Sequence, residues 1–210
     1  MFSTVSDHGT RAGRPAPRWI DPCGWFVAGL IVLCAPRASA AEVAVGVEQS
    51  HASYLVHGAF TVAVPVEVAW RVLTDYEHIG GFVKSMRGSK WVTAADGSRV
   101  LRQDAIVGVF PFRRAIRVEL ALHEDPESRI AFQDELGRDF RHYSGAWTLT
   151  TVSARTRVTY ELEAEPRSGA PGFMGRSVMT HSAGNLLRQV RAEMLRRAGA
   201  PGSVDPPSSR

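Results

Sequence analysis

The chain has 210 residues, of which 22% are charged, and a formal net charge of +4. This length allows one domain with a substantial core and is short for two domains. The charge is small, and the sequence contains no basic run, no aromatic RNA-binding motif and no zinc-ligand spacing. The composition therefore argues against a nucleic-acid-binding protein.

Residues 1–40 are predicted to be an export signal. Three arginines precede the apolar run 25–35, and Ala38 and Ala40 follow it in an A-x-A arrangement. This order of basic, apolar and small-residue regions is typical of a signal peptide, and the run is shorter than the about 20 residues that span a bilayer. We expect cleavage after Ala40 and an exported protein, periplasmic or secreted. The alternatives are an uncleaved anchor and a misassigned start codon.

Both cysteines, Cys23 and Cys34, lie within this segment. Cleavage would leave a mature chain that can form no disulfide, no thiolate metal site and no cysteine nucleophile. It would also remove four arginines and two aspartates, which lowers the formal net charge from +4 to +2. Such a domain must be stabilised by core burial alone.

The first predicted elements of the mature chain are one strand and two short helices. Residues 41–52 show no clear pattern and are interpreted as a lead-in. Alternating apolar side chains then indicate a half-buried strand; they are Tyr54, Val56, Phe60, Val62 and Val64. Pro65 favours a first helical turn, Asp75 is a suitable N-cap for a second helix, and the Gly80-Gly81 pair ends that helix.

Six further strands and one long helix are predicted after these helices. In the last strand, apolar and polar residues alternate without interruption from residue 157 to residue 164. The final helix carries a narrow apolar stripe with steps of three and four residues; it consists of Met179, Ala183, Leu186, Leu187, Val190 and Met194. Residues 199–210 are rich in proline and serine and are predicted to be a disordered tail.

The order of these elements predicts an α+β domain at residues 53–198. Consecutive strands joined by short turns form an antiparallel meander, and the apolar face of each strand has to be covered. The terminal helix is the only large apolar surface left for this purpose. We therefore expect a curved sheet of about seven strands wrapped around that helix. The two short helices would carry the chain from the first strand to the opposite edge of the sheet.

The sequence resembles the START-like superfamily, in its polyketide cyclase/dehydrase and coenzyme Q-binding branch. Three stretches carry the resemblance: FTVAVPVEVAWRVLTDYEHIGGFV, SGAWTLTTVSARTRVTYELEAEP and PGFMGRSVMTHSAGNLLRQVRAEMLRRA. The likeness covers roughly residues 51–198. It implies the helix-grip fold, with a cavity between the concave sheet face and the long helix that is open at one end. It does not specify a ligand, because the branch includes lipid binders, quinone binders and aromatase/cyclases.

Strand parity indicates which residues would line the implied cavity. Tyr143 and Trp147 lie on an inward face, although a core role is the commoner one for such residues. Phe110, Phe112 and Trp91 lie near strand ends and would form the rim. The helix would contribute Leu186, Val190 and Met194. A lining of this kind suits a hydrophobic ligand.

Three polar residues are further candidates for ligand binding. Arg114 and Arg141 are in phase with inward faces at strand starts. They either clamp an acidic or carbonyl head group, or extend from the rim to water, or pair with Glu193 or Asp139. Gln103 interrupts an apolar parity and faces the ligand unless a bulge turns Arg102 and Asp104 inward instead. His181 and Asn185 lie on the far side of the helix from the apolar stripe and are expected to face solvent.

Three functions are compatible with these features. The first is an exported carrier or binding domain for a lipid, quinone or polyketide-like molecule. The second is a cyclase/dehydratase-type enzyme that uses the same cavity, although no nucleophile-base motif is visible. The third is a module that binds a partner protein, or a membrane at the cavity mouth, with an incidental cavity. No cofactor or metal is implied.

Overall fold

The computed structural model describes residues 43–109, 112–167 and 175–199. It contains eight strands, two α-helices and one 3₁₀ helix within these ranges. In chain order they are β1 Ala44–Ser50, β2 Ser53–Val62, α1 Val66–Leu73, the 3₁₀ helix Tyr76–Gly81, β3 Met86–Thr93, β4 Arg99–Val109, β5 Phe112–Asp125, β6 Arg129–Asp134, β7 Phe140–Val152, β8 Arg155–Pro166 and α2 Arg176–Gly199. None of these helices has an apolar stretch long enough to cross a bilayer.

The strands form one antiparallel sheet in the order β1-β2-β8-β7-β6-β5-β4-β3. The strands β3 to β8 are a meander, in which each strand pairs with its neighbour in sequence. β2 pairs with β8, whereas β3 lies at the opposite edge of the sheet. The helices α1 and 3₁₀ therefore carry the chain from one side of the sheet to the other, as the sequence predicts.

The interpretation of residues 41–52 as a patternless lead-in is wrong for residues 44–50. They form β1, which pairs with β2 along its whole length, so the sheet has eight strands rather than about seven. The sequence hides this strand for two reasons. Val47 is its only fully buried side chain, and its hairpin turn contains His51 at a positive φ of 54° instead of the glycine or asparagine that usually marks such a turn.

The concave face of the sheet and α2 bury a common apolar core. Phe60 and Val62 of β2 are buried, and Leu187, Val190 and Met194 of α2 are almost completely inaccessible to solvent. Gly58 permits the close approach of the helix, because a Cβ at this position would overlap Cδ1 of Leu187. The glycine that interrupts the alternation of β2 thus marks the point where the helix crosses the strand.

A network of ion pairs joins the end of α2 to the start of the 3₁₀ helix. The guanidinium of Arg197 lies 2.7 Å from both Asp75 and Glu193, and Arg196 also contacts Glu193 at 2.7 Å. Asp75 stands at the predicted N-cap position, but its side chain caps no backbone N–H and instead contacts the His78 ring at 2.6 Å. This network fixes the position of the 3₁₀ helix on α2.

Candidate functional site

An apolar cavity of about 190 Å³ lies between the concave face of the sheet and the first half of α2. The wall from the sheet consists mainly of inward-facing side chains of β4 to β8, and α2 closes the other side. The 3₁₀ helix and the segment after it complete the lining. These segments contribute Tyr76, Ile79, Val83 and Ser85, and the first residue of β3 contributes Met86. The sequence analysis did not predict that the 3₁₀ helix forms part of the site.

Five aromatic rings form one wall of the cavity. Trp147 and Tyr160 lie with their ring centroids 4.5 Å apart, and Phe140 and Tyr143 with theirs 4.7 Å apart. Phe132 lies between these two pairs, about 6 Å from each tyrosine ring. Tyr143 and Trp147 therefore line the cavity, as their strand parity predicts. The wall gives a ligand large flat apolar surfaces.

Gly145 makes room for the Phe132 ring within this wall. A Cβ at position 145 would lie 2.6 Å from Cζ of Phe132, and it would also overlap the carbonyl oxygen of Glu161 on β8. β7 and the neighbouring strands can therefore pack this closely only because position 145 has no side chain.

The cavity tyrosines are neutral in the folded domain. Burial raises the pKa of Tyr143 to about 12, although a hydrogen bond with Tyr160 opposes this rise. Burial also raises the pKa of Tyr160 well above its usual value of 10.0, and the nearby Tyr143 adds to the effect. Neutral phenols can donate and accept hydrogen bonds, but they are not bases at physiological pH.

The remaining polar groups of the cavity are few and uncharged. Ser85, Gln103 and Ser182 join the tyrosines in the lining. Among the residues that the structure describes, no carboxylate, imidazole, ammonium or guanidinium lines the cavity. The arrangement suits an apolar molecule with one or two hydrogen-bonding groups.

The structure settles the orientation of β4 that the sequence left open. Gln103 lines the cavity, and its amide contacts the Ser89 hydroxyl at 3.3 Å. Arg102 pairs with Glu119 at 2.6 Å, and Asp104 pairs with Arg117 at the same distance. The register of β4 on β5 is regular, and the irregularity lies instead in β3, between Met86 and Gly88. Gln103 is thus the inward residue.

The two candidate arginines do not line the cavity. Arg114 lies 3.5 Å from Asp139, which is the pairing that the sequence analysis left as an alternative to a ligand clamp. Arg141 lies 3.4 Å from Glu165. Both arginine side chains are at least half exposed to solvent. Inward-facing positions at the ends of the strands therefore lie beyond the cavity, and their side chains reach the protein surface.

The apolar stripe of α2 serves two different purposes. Met179, Ala183 and Leu186 line the cavity. Val190 and Met194, which the sequence analysis also predicted to bind the ligand, do not line it and are buried in the solid core. The prediction for these two residues is wrong because helical periodicity identifies a buried face but cannot tell a packed core from a cavity wall.

Of the three aromatic residues predicted to form the rim, the structure describes the side chain of Trp91 alone. Trp91 packs edge-on against Tyr76, with ring centroids 5.7 Å apart, and Arg99 lies 4.4 Å above its ring. Trp91 thus supports a residue of the lining without lining the cavity itself. Phe110 lies outside the described residues, and of Phe112 the structure describes only the backbone, which pairs with Val109.

A polar groove adjoins the cavity and shares three residues with it, namely Ser85, Val107 and Ser182. The groove lies between the β4–β5 strand ends, the segment before β3 and α2. His181 and Asn185 line it. His181 is exposed, as its position on the helix predicts, and Asn185 is half-buried and accepts a hydrogen bond from Arg188 at 2.7 Å.

Comparison with known proteins gives a consistent result. The model of the family described as polyketide cyclase/dehydrase and lipid transport matches residues 62–191. No curated protein matches the chain significantly.

Several solved structures share the fold. The Zhui aromatase/cyclase from Streptomyces sp. R1128 is 23% identical, with a TM-score of 0.58 over 72% of this chain and 99% of that chain. A START superfamily protein from Mycobacterium smegmatis is 16% identical, with a TM-score of 0.57 over 68% and 98%. A STAR-related lipid transfer protein from Xanthomonas axonopodis is 13% identical, with a TM-score of 0.50 over 73% and 99%.

At these identities the structural likeness shows a common fold alone. The family match, in contrast, extends from the end of β2 to the middle of α2 and covers more than half of the chain. The chain therefore belongs to the polyketide cyclase/dehydrase and lipid transport family.

Proposed function

We propose that this protein is an exported domain that binds and carries a hydrophobic small molecule between the sheet and α2. The observation that carries the proposal is the apolar cavity of about 190 Å³, which the side chains of the protein leave unfilled. Native interiors are packed with few voids larger than a water molecule. A cavity of this size therefore supports a binding site rather than a packing defect.

The volume limits the size of the ligand. An engineered apolar cavity of about 150 Å³ in another protein is large enough to bind benzene. A cavity of about 190 Å³ thus accepts a body somewhat larger than one aromatic ring, or a short single chain. A two-chain lipid would require α2 to move away from the sheet.

The export part of the proposal depends on residues 1–40, which lie outside the described residues. Its support is the order of basic, apolar and A-x-A regions. Mass spectrometry of the protein purified from its own host tests it directly. We expect a chain that begins at Ala41. A chain that still contains residues 1–40 would contradict export by cleavage.

A cyclase/dehydratase-type enzyme is the second candidate, because the family description names this activity and the Zhui protein is an aromatase/cyclase. Such a reaction requires at least one group that transfers a proton. The only titratable side chains in the described lining are the phenols of Tyr76, Tyr143 and Tyr160. Their raised pKa values suit hydrogen-bond donors better than bases, which favours binding over catalysis.

Native mass spectrometry of protein from its own host tests the carrier proposal. We expect the wild-type protein to retain a bound molecule of small mass. The cavity-filling variant Ala105→Phe should lack this molecule, and the variant Ala121→Phe should retain it. Ala105 lines the cavity, whereas Ala121 belongs to the same sheet but lies outside the cavity lining, so the second variant controls for added bulk. Equal retention by both folded variants would contradict binding in the cavity. Conversion of the bound molecule into a product of different mass would favour the enzyme.

A further inference from the structure

The groove beside the cavity is lined by cationic side chains from three separate parts of the chain. Lys84 and Arg87 lie before and within β3, Arg113 lies near the start of β5, and Arg188 lies on α2. All four are exposed to solvent. No aspartate or glutamate belongs to the described lining of this groove, which has a volume of about 550 Å³.

These four cations make no ion pair with any acidic side chain in the described ranges. Elsewhere on the domain, arginines such as Arg102, Arg117 and Arg197 lie within 2.7 Å of a carboxylate. Clustered like charges repel one another and create a positive potential, which a concave surface concentrates. The groove is thus electrostatically suited to bind an anion.

The groove and the cavity adjoin at Ser85, Val107 and Ser182, which line both. A molecule that extends from the groove into the cavity at this point would contact a cationic surface first and an apolar one second. The described lining of the cavity contains no charged side chain. An anionic group of the ligand would therefore remain in the groove, where water and the basic side chains stabilise it. The two compartments together match an amphiphile.

We infer that the ligand is an anionic amphiphile, whose apolar body fills the cavity while its carboxylate or phosphate head group binds Lys84, Arg87, Arg113 and Arg188 in the groove. Arginine and lysine form charge-assisted hydrogen bonds with both head groups. Asn185 and His181 line the same groove and add hydrogen-bonding groups. This inference rests on the proposed function and specifies the chemical class of the molecule that the cavity binds.

Isothermal titration of the mature protein with four probes of eight carbon atoms each tests the inference. The probes are octanoate, octyl phosphate, octanol and octylammonium. We expect octanoate or octyl phosphate to bind about tenfold more tightly than octanol, since one or two charge-assisted hydrogen bonds are gained. Octylammonium should bind most weakly. The order of the two anions distinguishes a carboxylate head group from a phosphate ester.

Two double variants assign the effect to the groove. Arg87→Gln with Arg113→Gln, and Lys84→Gln with Arg188→Gln, should each remove most of the preference for the anions and leave the affinity for octanol unchanged. Lys90→Gln with Arg157→Gln, on exposed positions outside the groove lining, is the matched control and should bind like the wild type. High salt should weaken the binding of octanoate but not of octanol.

The outcomes separate the two proposals. If octanol binds as tightly as the anions, and neither double variant changes any affinity, the inference is wrong but the cavity remains a binding site. If no probe binds the folded protein, the proposed function fails. Sedimentation with anionic phosphatidylglycerol vesicles adds a third outcome. Loss of vesicle binding in the double variants, without any preference for the anionic probes, would assign the groove to a membrane contact and would also overturn the inference.

Discussion

Gly58 on β2 and Leu187 on α2 approach each other so closely that a single methyl group at position 58 would overlap the leucine side chain. Leu187 is fully buried and has little freedom to shift. We expect Gly58→Ala to lower the free energy of unfolding by about 1–3 kcal/mol, because overpacking forces side chains or backbone to move. Urea denaturation followed by circular dichroism measures the change.

Gly46→Ala provides the matched control for this substitution. Gly46 lies on the adjacent strand β1, and a Cβ at this position would meet no atom within 4 Å. Replacing a strand glycine with alanine without a clash removes an entropic cost. The control should therefore be neutral or slightly stabilising, and an equal loss in both variants would show that the helix contact is not the cause.

The ion pairs at the end of α2 make stability dependent on pH. Hydrogen bonds from Arg196 and then Arg197 hold the pKa of Glu193 below its usual value of 4.5, although burial opposes this effect. A carboxylate with a lowered pKa stabilises the fold at pH values above its unfolded-state pKa, and this contribution is lost as the pH falls through the folded-state pKa. Glu193→Gln should therefore destabilise the protein at pH 7, by about 1–2 kcal/mol.

The pH dependence of this variant is the sharper measurement. The difference in unfolding free energy between wild type and Glu193→Gln should shrink as the pH falls below about 4.5, the usual pKa of the group. Thermal melts at a series of pH values between neutral and strongly acidic record it. A difference that stays constant over this range would mean that the carboxylate charge does not act through these arginines.

Tyr143 should contribute a hydrogen bond to the ligand but no pH dependence. Because burial raises its pKa to about 12, its phenol stays neutral between pH 6 and 9. We expect Tyr143→Phe to weaken the binding of octanol about three- to tenfold, because one hydrogen bond is lost. The factor should be the same at pH 6 and at pH 9. Isothermal titration measures the affinities. Tyr54→Phe, a change outside the described cavity lining, serves as the reference variant.

Asp139 should matter more to stability than its partner Arg114. The Asp139 side chain is 6% exposed and accepts the backbone N–H of Arg117 at 2.9 Å, whereas the Arg114 side chain is 50% exposed. Asp139→Ala leaves that N–H without its acceptor and should lower the free energy of unfolding by about 1–3 kcal/mol. Asp139→Asn keeps one acceptor oxygen and should lower the free energy of unfolding by a smaller amount. Arg114→Ala should change stability by less than about 1 kcal/mol, and a larger loss from Arg114→Ala than from Asp139→Ala would reverse this assignment.

The strands and the inward-facing residues of the cavity wall could be predicted wherever buried and exposed residues alternate regularly along the chain. β8 alternates without interruption, so the positions of Tyr160 and Leu162 on the inner face follow from parity alone. The crossing of the two short helices to the far edge followed from counting the strands that come after them. The resemblance to a known superfamily added the expectation of a cavity, which the unfilled space beside Tyr143 and Trp147 confirms.

Other features depend on relationships that no local pattern contains. β1 escaped prediction because the hairpin turn at His51 lacks the usual turn residues. Val190 and Met194 are buried outside the cavity because the sheet packs directly against this part of the helix, and helical periodicity does not contain that information. The cationic groove combines residues from before β3, the start of β5 and α2, and they become neighbours only in the folded domain.

The division of α2 has a consequence for evolution and engineering. Its first half presents Met179, Ala183 and Leu186 to the cavity, while its second half anchors the helix through Val190, Met194 and the Glu193 ion pairs. Ligand preference and fold stability thus depend on different positions of one helix. A library that randomises only Met179, Ala183 and Leu186 could alter selectivity, while Leu187, Val190 and Met194 keep the helix packed on the sheet.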